Sequence, residues 1–129
     1  MNYFITILLF TVLLSSCDPA LKIKYEVINK TTEPINVTFK FVFNRSGDTS
    51  IQNVTIQKSD SKILNEEDDL GYIEGFDKTR DSIYLYQLNI QQNKKITTAN
   101  FKDKKYWILK KISNQEGIYQ LIIDTTFFK

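Results

Sequence analysis

The chain has 129 residues, with 17 Lys and Arg against 15 Asp and Glu and a formal net charge of +2. That length is one domain's worth, and so small a positive excess argues against a nucleic-acid partner. The chain has no histidine, which excludes Ser-His-Asp and Cys-His catalysis and histidine-based zinc sites.

The first sixteen residues have the composition of a secretory signal. They contain no Asp, Glu, Lys, Arg or Pro, and residues 4–14 are almost entirely apolar. This stretch is shorter than the roughly 20 residues that a membrane-spanning helix needs. We therefore expect residues 4–14 to form a helix that makes few contacts with the folded domain, and residues 1–16 to be removed.

The signal ends in Leu14-Ser15-Ser16-Cys17, which resembles the lipobox of bacterial lipoproteins: an aliphatic residue, two small residues and a cysteine. The resemblance implies cleavage between Ser16 and Cys17 and a diacylglyceryl group on the Cys17 thiol. Cys17 is the only cysteine, so it cannot staple the domain. Each CH₂ group of a lipid chain that is buried in a bilayer contributes about 0.8 kcal/mol to membrane binding. A lipid on Cys17 would therefore make the membrane a partner of this protein.

The same resemblance gives an address and a domain plan. We expect residues 17–20 to be a lipidated tether and residues 21–129 to be the folded domain, facing the periplasm or the cell surface. The expected location is the bacterial envelope, at the outer rather than the inner membrane. Asp18 nevertheless resembles an inner-membrane retention signal of some bacteria.

Two alternating segments open the domain and predict strands with one apolar face each. They cover residues 21–27 and 35–43, and turn residues at 29–34 join them. The side chains predicted to face the core are Leu21, Ile23, Tyr25 and Val27 on the first strand, and Ile35, Val37, Phe39, Phe41 and Phe43 on the second.

The rest of the first half is less regular. A turn is predicted at residues 44–48, followed by a strand at residues 50–57. Ile51 and Val54 are out of phase there, which indicates a bulge near Gln52. Between residues 58 and 80 the alternation breaks down, and we expect loops around short strands.

Order returns in the second half. Residues 82–90 are apolar on both faces and predict a central strand, whereas residues 94–101 are a weaker candidate. Residues 106–112 and 118–128 predict a terminal hairpin across the turn at residues 113–117, with Gly117 available for a positive φ.

These elements predict an all-β fold, a two-sheet antiparallel sandwich of about 7–9 strands preceded by the signal helix. The arrangement resembles the small immunoglobulin-like or transthyretin-like lipoproteins of Gram-negative envelopes. The opening strand at residues 25–31, which runs into Asn29-Lys30-Thr31, is common in the first β-hairpin of such domains. That resemblance carries no catalytic residue over to this chain.

The remaining candidates for chemistry are few. Ser59 and Ser61 beside Lys58 and Lys62 are formally a Ser-Lys dyad, but a solvated turn explains them better. Glycine spacing shows no phosphate-binding motif, since Gly71 and Gly75 lie in an acidic setting. Paired carboxylates for glycoside hydrolysis, or ligands for calcium, would have to come from an acidic loop. Its members are Glu66, Glu67, Asp68, Asp69 and Glu74.

Two surface features are candidates for partner contacts. A lysine cluster would suit anionic lipid, although charged strand faces explain it more simply. An aromatic row would suit a glycan or a protein, although packing in the core is the simpler interpretation. The lysines are Lys102, Lys104, Lys105, Lys110 and Lys111, and the aromatic residues are Tyr84, Tyr86, Tyr106, Trp107, Tyr119, Phe127 and Phe128.

The leading hypothesis is therefore a non-catalytic envelope lipoprotein without a metal or a cofactor. It would bind a protein or glycan partner, or have a structural role in a larger assembly. The alternative is an inhibitor or immunity-type lipoprotein that blocks an enzyme, and a carboxylate-dependent hydrolase ranks third.

Overall fold

The computed structural model describes residues 19–43, 47 and 50–128. The expected signal helix, the cleavage site at Ser16 and Cys17, and most of the expected turn at residues 44–48 lie outside them. Within the described residues the chain forms eight strands and one short α-helix, with single 3-10 turns at Lys104–Tyr106 and Thr125–Phe127. In chain order the elements are β1 (Ala20–Asn29), β2 (Ile35–Phe41), β3 (Gln52–Ile56), β4 (Ser61–Leu70), α1 (Ile73–Thr79), β5 (Leu85–Gln92), β6 (Lys95–Ile96), β7 (Trp107–Ser113) and β8 (Glu116–Ile123).

The strands form two four-stranded sheets, which confirms the predicted two-sheet sandwich. Sheet A has the order β4-β1-β8-β7 and sheet B the order β3-β2-β5-β6. Neighbouring strands are antiparallel except for β1 and β8, which are parallel. This one pair departs from the predicted antiparallel arrangement. These strands lie far apart in the chain, so no hairpin turn dictates their relative direction.

The predicted inward faces of β1 and β2 are confirmed with one exception. Phe39 and Phe41 are each 5% exposed, and their ring centroids lie 6.0 Å apart. Phe43 is instead 52% exposed, because β2 ends at Phe41 after its register against β5 shifts between Lys40 and Phe41. The buried members are Leu21, Ile23, Tyr25, Val27, Ile35, Val37, Phe39 and Phe41.

Two expectations for the middle of the chain are wrong. β3 pairs with β2 without a register shift, so there is no bulge near Gln52. Ile51 is out of phase because it lies before the strand, where it is 55% exposed. Residues 58–80 form the ten-residue strand β4 and the helix α1 rather than loops around short strands. The inward positions of β4 include the polar Asn65 and Glu67, which hid the alternation from the sequence.

The later strands follow the prediction more closely. β5 lies between β2 and β6, as expected of a central strand, but it begins at Leu85 rather than at residue 82. Only Lys95–Ile96 of the weaker candidate forms a strand. β7 and β8 form the expected hairpin, but β8 begins at Glu116 and ends at Ile123, so the turn is shorter than predicted and the strand does not reach residue 128. Gly117 has no positive φ and lies within β8, where its missing side chain makes room for Ile73 of α1.

The two sheets are tied together where β1 crosses to β2. Asn29 is fully buried, and its Nδ2 donates to the backbone oxygens of Glu33 at 2.8 Å and Ile56 at 3.1 Å. Its Oδ1 accepts from the backbone N–H of Thr31 at 2.9 Å, and Gln92 of β5 donates to the Thr31 hydroxyl at 2.6 Å. The Asn-x-Thr sequence therefore satisfies buried backbone groups at this end of the sandwich.

Candidate functional site

The acidic run at residues 66–69 lies on β4 rather than in a loop, which corrects the prediction. A strand sends successive side chains to opposite faces. Glu67 is therefore buried between the sheets, whereas Glu66 and Asp68 lie on the outer face opposite two lysines of β1. Glu67 and Asp69 both contact Nη2 of Arg80, at 2.5 and 3.8 Å, so an arginine lies between these two carboxylates. In the described part of the chain, no group of three or more His, Cys, Asp or Glu side chains is placed to hold a metal ion.

The Ser-Lys candidates lie at the turn from β3 to β4. Ser59 has a φ of 61° in this turn, and Lys58 and Lys62 are exposed. Ser61 begins β4, and its hydroxyl donates to Oε1 of Glu26 at 2.6 Å. That hydroxyl is therefore bound to a carboxylate rather than to a lysine amine.

Glu67 is the centre of a buried ionic cluster. Its Oε1 lies 2.5 Å from Nη2 of Arg80, and its Oε2 accepts from the Tyr25 hydroxyl at 2.9 Å and from Nη1 of Arg80 at 3.3 Å. The guanidinium carbon lies 3.9 Å from the ring centroid of Phe76 and 4.2 Å from that of Tyr84. Both carboxylate oxygens of Glu67 are thus occupied, and the arginine charge is compensated by Glu67, by Asp69 at 3.8 Å and by two aromatic faces.

A second ionic cluster surrounds Asp77 of α1. Its Oδ1 accepts from the Tyr119 hydroxyl at 2.6 Å and lies 2.7 Å from Nζ of Lys104, which also donates to the Asp77 backbone oxygen. Burial alone would raise the pKa of Asp77, but the hydrogen bonds from Lys104 and Tyr119 outweigh it and lower the pKa. The rings of Tyr119 and Tyr25 stack at 5.7 Å, which joins the two clusters.

The two tyrosines act as donors in these clusters. Burial raises the pKa of Tyr25, and the neighbouring Glu67 raises it further. Burial together with the hydrogen bond to Asp77 likewise raises the pKa of Tyr119. Both hydroxyls therefore stay protonated at neutral pH and hold α1 and the segment before β5 against sheet A. The two clusters therefore have a structural role, which is to hold these segments in place.

Two clefts at the edges of the sandwich are separate from these clusters. One of about 600 Å³ lies at the start of β1 and is lined by Ala20, Leu70 and Gln115 among others. Another of about 380 Å³ is lined by Tyr106 and Phe127 with neighbouring polar residues. Neither Glu67 nor Asp77 lines either cleft.

The predicted lysine cluster is divided between the segment before β7 and β7 itself. Three of its members contact carboxylates, so much of its charge is compensated locally. Lys104 contacts Asp77 at 2.7 Å, Lys105 contacts Asp103 at 3.0 Å and Lys111 contacts Glu74 at 3.0 Å.

The predicted aromatic row is divided between core and surface. Trp107, Tyr119 and Phe128 are buried, as the simpler interpretation expected. Tyr86 is 60% exposed on the outer side of sheet B, and Nζ of Lys40 lies 5.2 Å from its ring centroid. This cation–π pair stands at one end of a polar surface on the same sheet.

That polar surface, the amide face, covers the outer side of sheet B. The strand register places its members in two cross-strand rows over β3, β2 and β5. All of them are neutral hydrogen-bonding side chains that are exposed or half-buried. The amide face consists of Asn36, Thr38, Asn53, Thr55, Asn89 and Gln91.

Cross-strand hydrogen bonds order the amide face. Thr38 donates its hydroxyl hydrogen to Oδ1 of Asn53 at 2.6 Å, and Thr55 donates to Oδ1 of Asn36 at 2.7 Å. An amide carries one oxygen acceptor and an NH₂ group with two donors. Each threonine takes one of the two acceptor positions of an amide oxygen, so the NH₂ groups of Asn36 and Asn53 are the larger remaining hydrogen-bonding capacity of these two amides.

Sequence reasoning placed Asn36 and Thr38 on the outer side of their strand but missed the surface they belong to. One available signal was the alternation of Gln87, Asn89 and Gln91 with apolar residues in β5. The clusters around Glu67 and Asp77 gave no comparable signal, since their members come from segments whose pairing the sequence does not reveal.

Comparisons with known proteins give no relative: no family model, curated protein or solved structure matches the chain. None of the helices in the described residues is long and apolar enough to cross a membrane.

Proposed function

We propose that this protein is a lipid-anchored, non-catalytic binding module of the bacterial envelope, and that its amide face binds a glycan. The Leu14-Ser15-Ser16-Cys17 sequence supports the anchor, because cleavage before Cys17 would leave a cysteine ready to carry lipid at the first residue. The expected location is the outer membrane, with the domain facing the periplasm or the cell surface.

The state of the ionisable groups supports a binding role. Glu67 and Asp77 are engaged by Arg80 and Lys104, and each also accepts a hydrogen bond from a tyrosine. Such carboxylates act as acceptors that hold elements together. A general acid or nucleophile instead needs to reach a substrate.

The observation that carries the glycan proposal is the ordered, neutral character of the amide face. Sugar hydroxyls donate and accept hydrogen bonds, and the amide and hydroxyl groups of two rows offer both on one sheet surface. Protein-binding surfaces usually centre on buried aromatic or arginine anchors. The rows of the amide face contain none, and the exposed ring of Tyr86 stands at their end, where it could stack on a sugar ring.

Binding to glycans tests the proposal. The full lipidated chain in detergent should be retained by peptidoglycan or by a neutral envelope polysaccharide. The double variant Asn36→Asp, Asn53→Asp keeps the oxygens that Thr55 and Thr38 contact but removes the NH₂ donors. We expect it to bind at least about fivefold more weakly, since each of the two lost hydrogen bonds contributes roughly 0.5–1.5 kcal/mol.

The matched control is Asn114→Asp, which makes the same chemical change at an exposed turn outside sheet B. It should bind like the unchanged protein. Equal binding by the double variant, or no glycan retained by the unchanged chain, would overturn the glycan assignment. Capture of a protein that the double variant loses would assign the amide face to a protein partner instead.

A further inference from the structure

The chain enters the sandwich at one defined end. β1 begins at Ala20, which pairs with Leu70 at the end of β4. The backbone N–H of Gly71 donates to the oxygen of Pro19 at 2.8 Å, so the residue before β1 is held against the turn that follows β4. This end of the fold also contains the turn between β7 and β8. There the backbone oxygen of Gln115 accepts a hydrogen bond from the backbone N–H of Lys22 at 2.8 Å.

Two exposed apolar side chains flank Gly71 where β4 leads into α1. Leu70 is 67% exposed, the highest value among the large hydrophobic residues that the structure describes, and Tyr72 is 58% exposed. Gly71 between them has a φ of +108°, a conformation that other residues rarely adopt. We call Leu70, Gly71 and Tyr72 the apolar tip. Exposure of two such side chains only one residue apart in the sequence costs free energy in water and needs a reason.

The position of Cys17 in the sequence supplies that reason. Cys17 precedes Pro19 by two residues, and two residues span at most about 7 Å. Since the backbone oxygen of Pro19 accepts a hydrogen bond from Gly71, a lipid on Cys17 would bring the membrane surface close to the apolar tip. This step rests on the proposed lipid anchor.

We propose that the apolar tip is a second membrane contact, which inserts into the interfacial layer of the bilayer that holds Cys17. Leu70 would lie at the boundary of the acyl chains, and Tyr72 among the headgroups, where its ring is buried and its hydroxyl stays hydrated. The contact holds the start of β1 against the membrane, and the strands of both sheets extend away from it.

The charges around the apolar tip indicate a contact driven by apolar burial. Lys22 pairs in register with Asp68, and Lys111 forms an ion pair with Glu74 at 3.0 Å. Neither sign dominates this end of the fold, so raised salt should not release the tip from a bilayer.

A single introduced thiol tests this contact. The lipid on Cys17 blocks the only natural cysteine, so Leu70→Cys provides one labelling site on the full lipidated chain. A polarity-sensitive fluorophore at position 70 should shift to the blue and be quenched by lipid-borne nitroxide. The vesicles contain phosphatidylethanolamine and phosphatidylglycerol.

The control is Ile96→Cys, at a residue of similar exposure, 59%, that pairs with Gln91 near the opposite end of the sandwich. A fluorophore there should remain open to aqueous iodide. If the vesicles carry the lipidated chain but the label at position 70 is as open to water as the label at position 96, the tip contact is wrong and the anchor stands. If palmitate labelling shows that the chain carries no lipid, the proposed lipid anchor and the proposed tip contact are both wrong.

Discussion

Ile73 of α1 lies where a side chain on Gly117 of β8 would have to go. A Cβ built at Gly117 would lie 2.6 Å from Cδ1 of Ile73 and 2.9 Å from its Cγ1. The backbone of β8 is thus in direct contact with the first residue of α1. This close approach places the helix, and with it Asp77, against sheet A.

Gly117→Ala should therefore destabilise the protein. We expect a loss of about 1–3 kcal/mol in the free energy of unfolding, the usual cost of overpacking a core. Ile73→Ala costs stability by itself, but Gly117→Ala should cost much less when added to it, because the clashing atoms are gone. Gly75→Ala is the control: it lies in α1 with open space around its Cα, and should be neutral or stabilising by about 0.4–1 kcal/mol. Equal costs in both backgrounds would contradict this packing.

The faces of β2 give a second prediction. Phe39→Ala or Phe41→Ala should lower the free energy of unfolding by about 3–5 kcal/mol, because both rings are buried and leave cavities. Lys40→Ala removes a half-buried side chain beside Tyr86 and should change the free energy of unfolding by no more than about 0.5 kcal/mol. Denaturant unfolding measures all three. Damage from Lys40→Ala as large as that from either phenylalanine variant would mean that the faces are assigned wrongly.

The buried ion pair gives a third prediction. Glu67→Gln leaves the buried guanidinium of Arg80 with the more distant, half-exposed carboxylate of Asp69 at 3.8 Å, and should cost up to about 3 kcal/mol, the lower end of the loss when one member of a buried pair is removed. Adding Arg80→Met should recover part of that loss, since the poorly compensated charge is then removed. Glu74→Gln alters an exposed pair and should leave the unfolding midpoint nearly unchanged. If the double variant is less stable than Glu67→Gln alone, the cost does not come from the stranded charge.

Alkaline pH gives a fourth prediction. Burial, followed by the neighbouring carboxylates, raises the pKa values of Tyr25 and Tyr119 in the folded protein above the ordinary 10.0. Their contribution to stability is complete below pH 10.0 and is lost as pH rises above it, because the unfolded chain releases those protons first. Tyr119→Phe should reduce this decline in the unfolding midpoint, and Tyr72→Phe at an exposed site should not. An unchanged decline in Tyr119→Phe would contradict the burial of that hydroxyl.

The parts of the fold that the sequence predicted are those in which polarity and burial coincide. β1 and β2 alternate cleanly, so Tyr25 and Phe39 were placed correctly. The strand β4 was not predicted because Glu67 points inward, where Arg80, from beyond α1, and the Tyr25 hydroxyl stabilise its carboxylate. The prediction that Phe43 faces the core was wrong because the end of β2 is determined by its register against the neighbouring strand β5.

The candidate site depended on the same long-range information. Alternation placed Asn36 on the outer side of its strand, but only the pairing of β2 with β3 and β5 brings Thr55 and Gln91 beside it. The parallel pairing of β1 with β8 was equally beyond local pattern. Local patterns determine which face a side chain takes, and the partner strands determine what that face becomes.

Lipid attachment at Cys17 is the central claim, and labelling of the full chain with palmitate in a bacterial host, followed by mass analysis of the membrane fraction, tests it most directly. We predict a labelled product that begins at Cys17 and carries a diacylglyceryl group in thioether linkage to its sulfur, and an unlabelled precursor or released chain for Cys17→Ser, because serine cannot form the thioether. Cys17 supplies the only thiol in the chain, so no other site can take over this linkage. Label entering Cys17→Ser as well as the unchanged chain, or a membrane-bound product that still begins at Met1, would contradict the account.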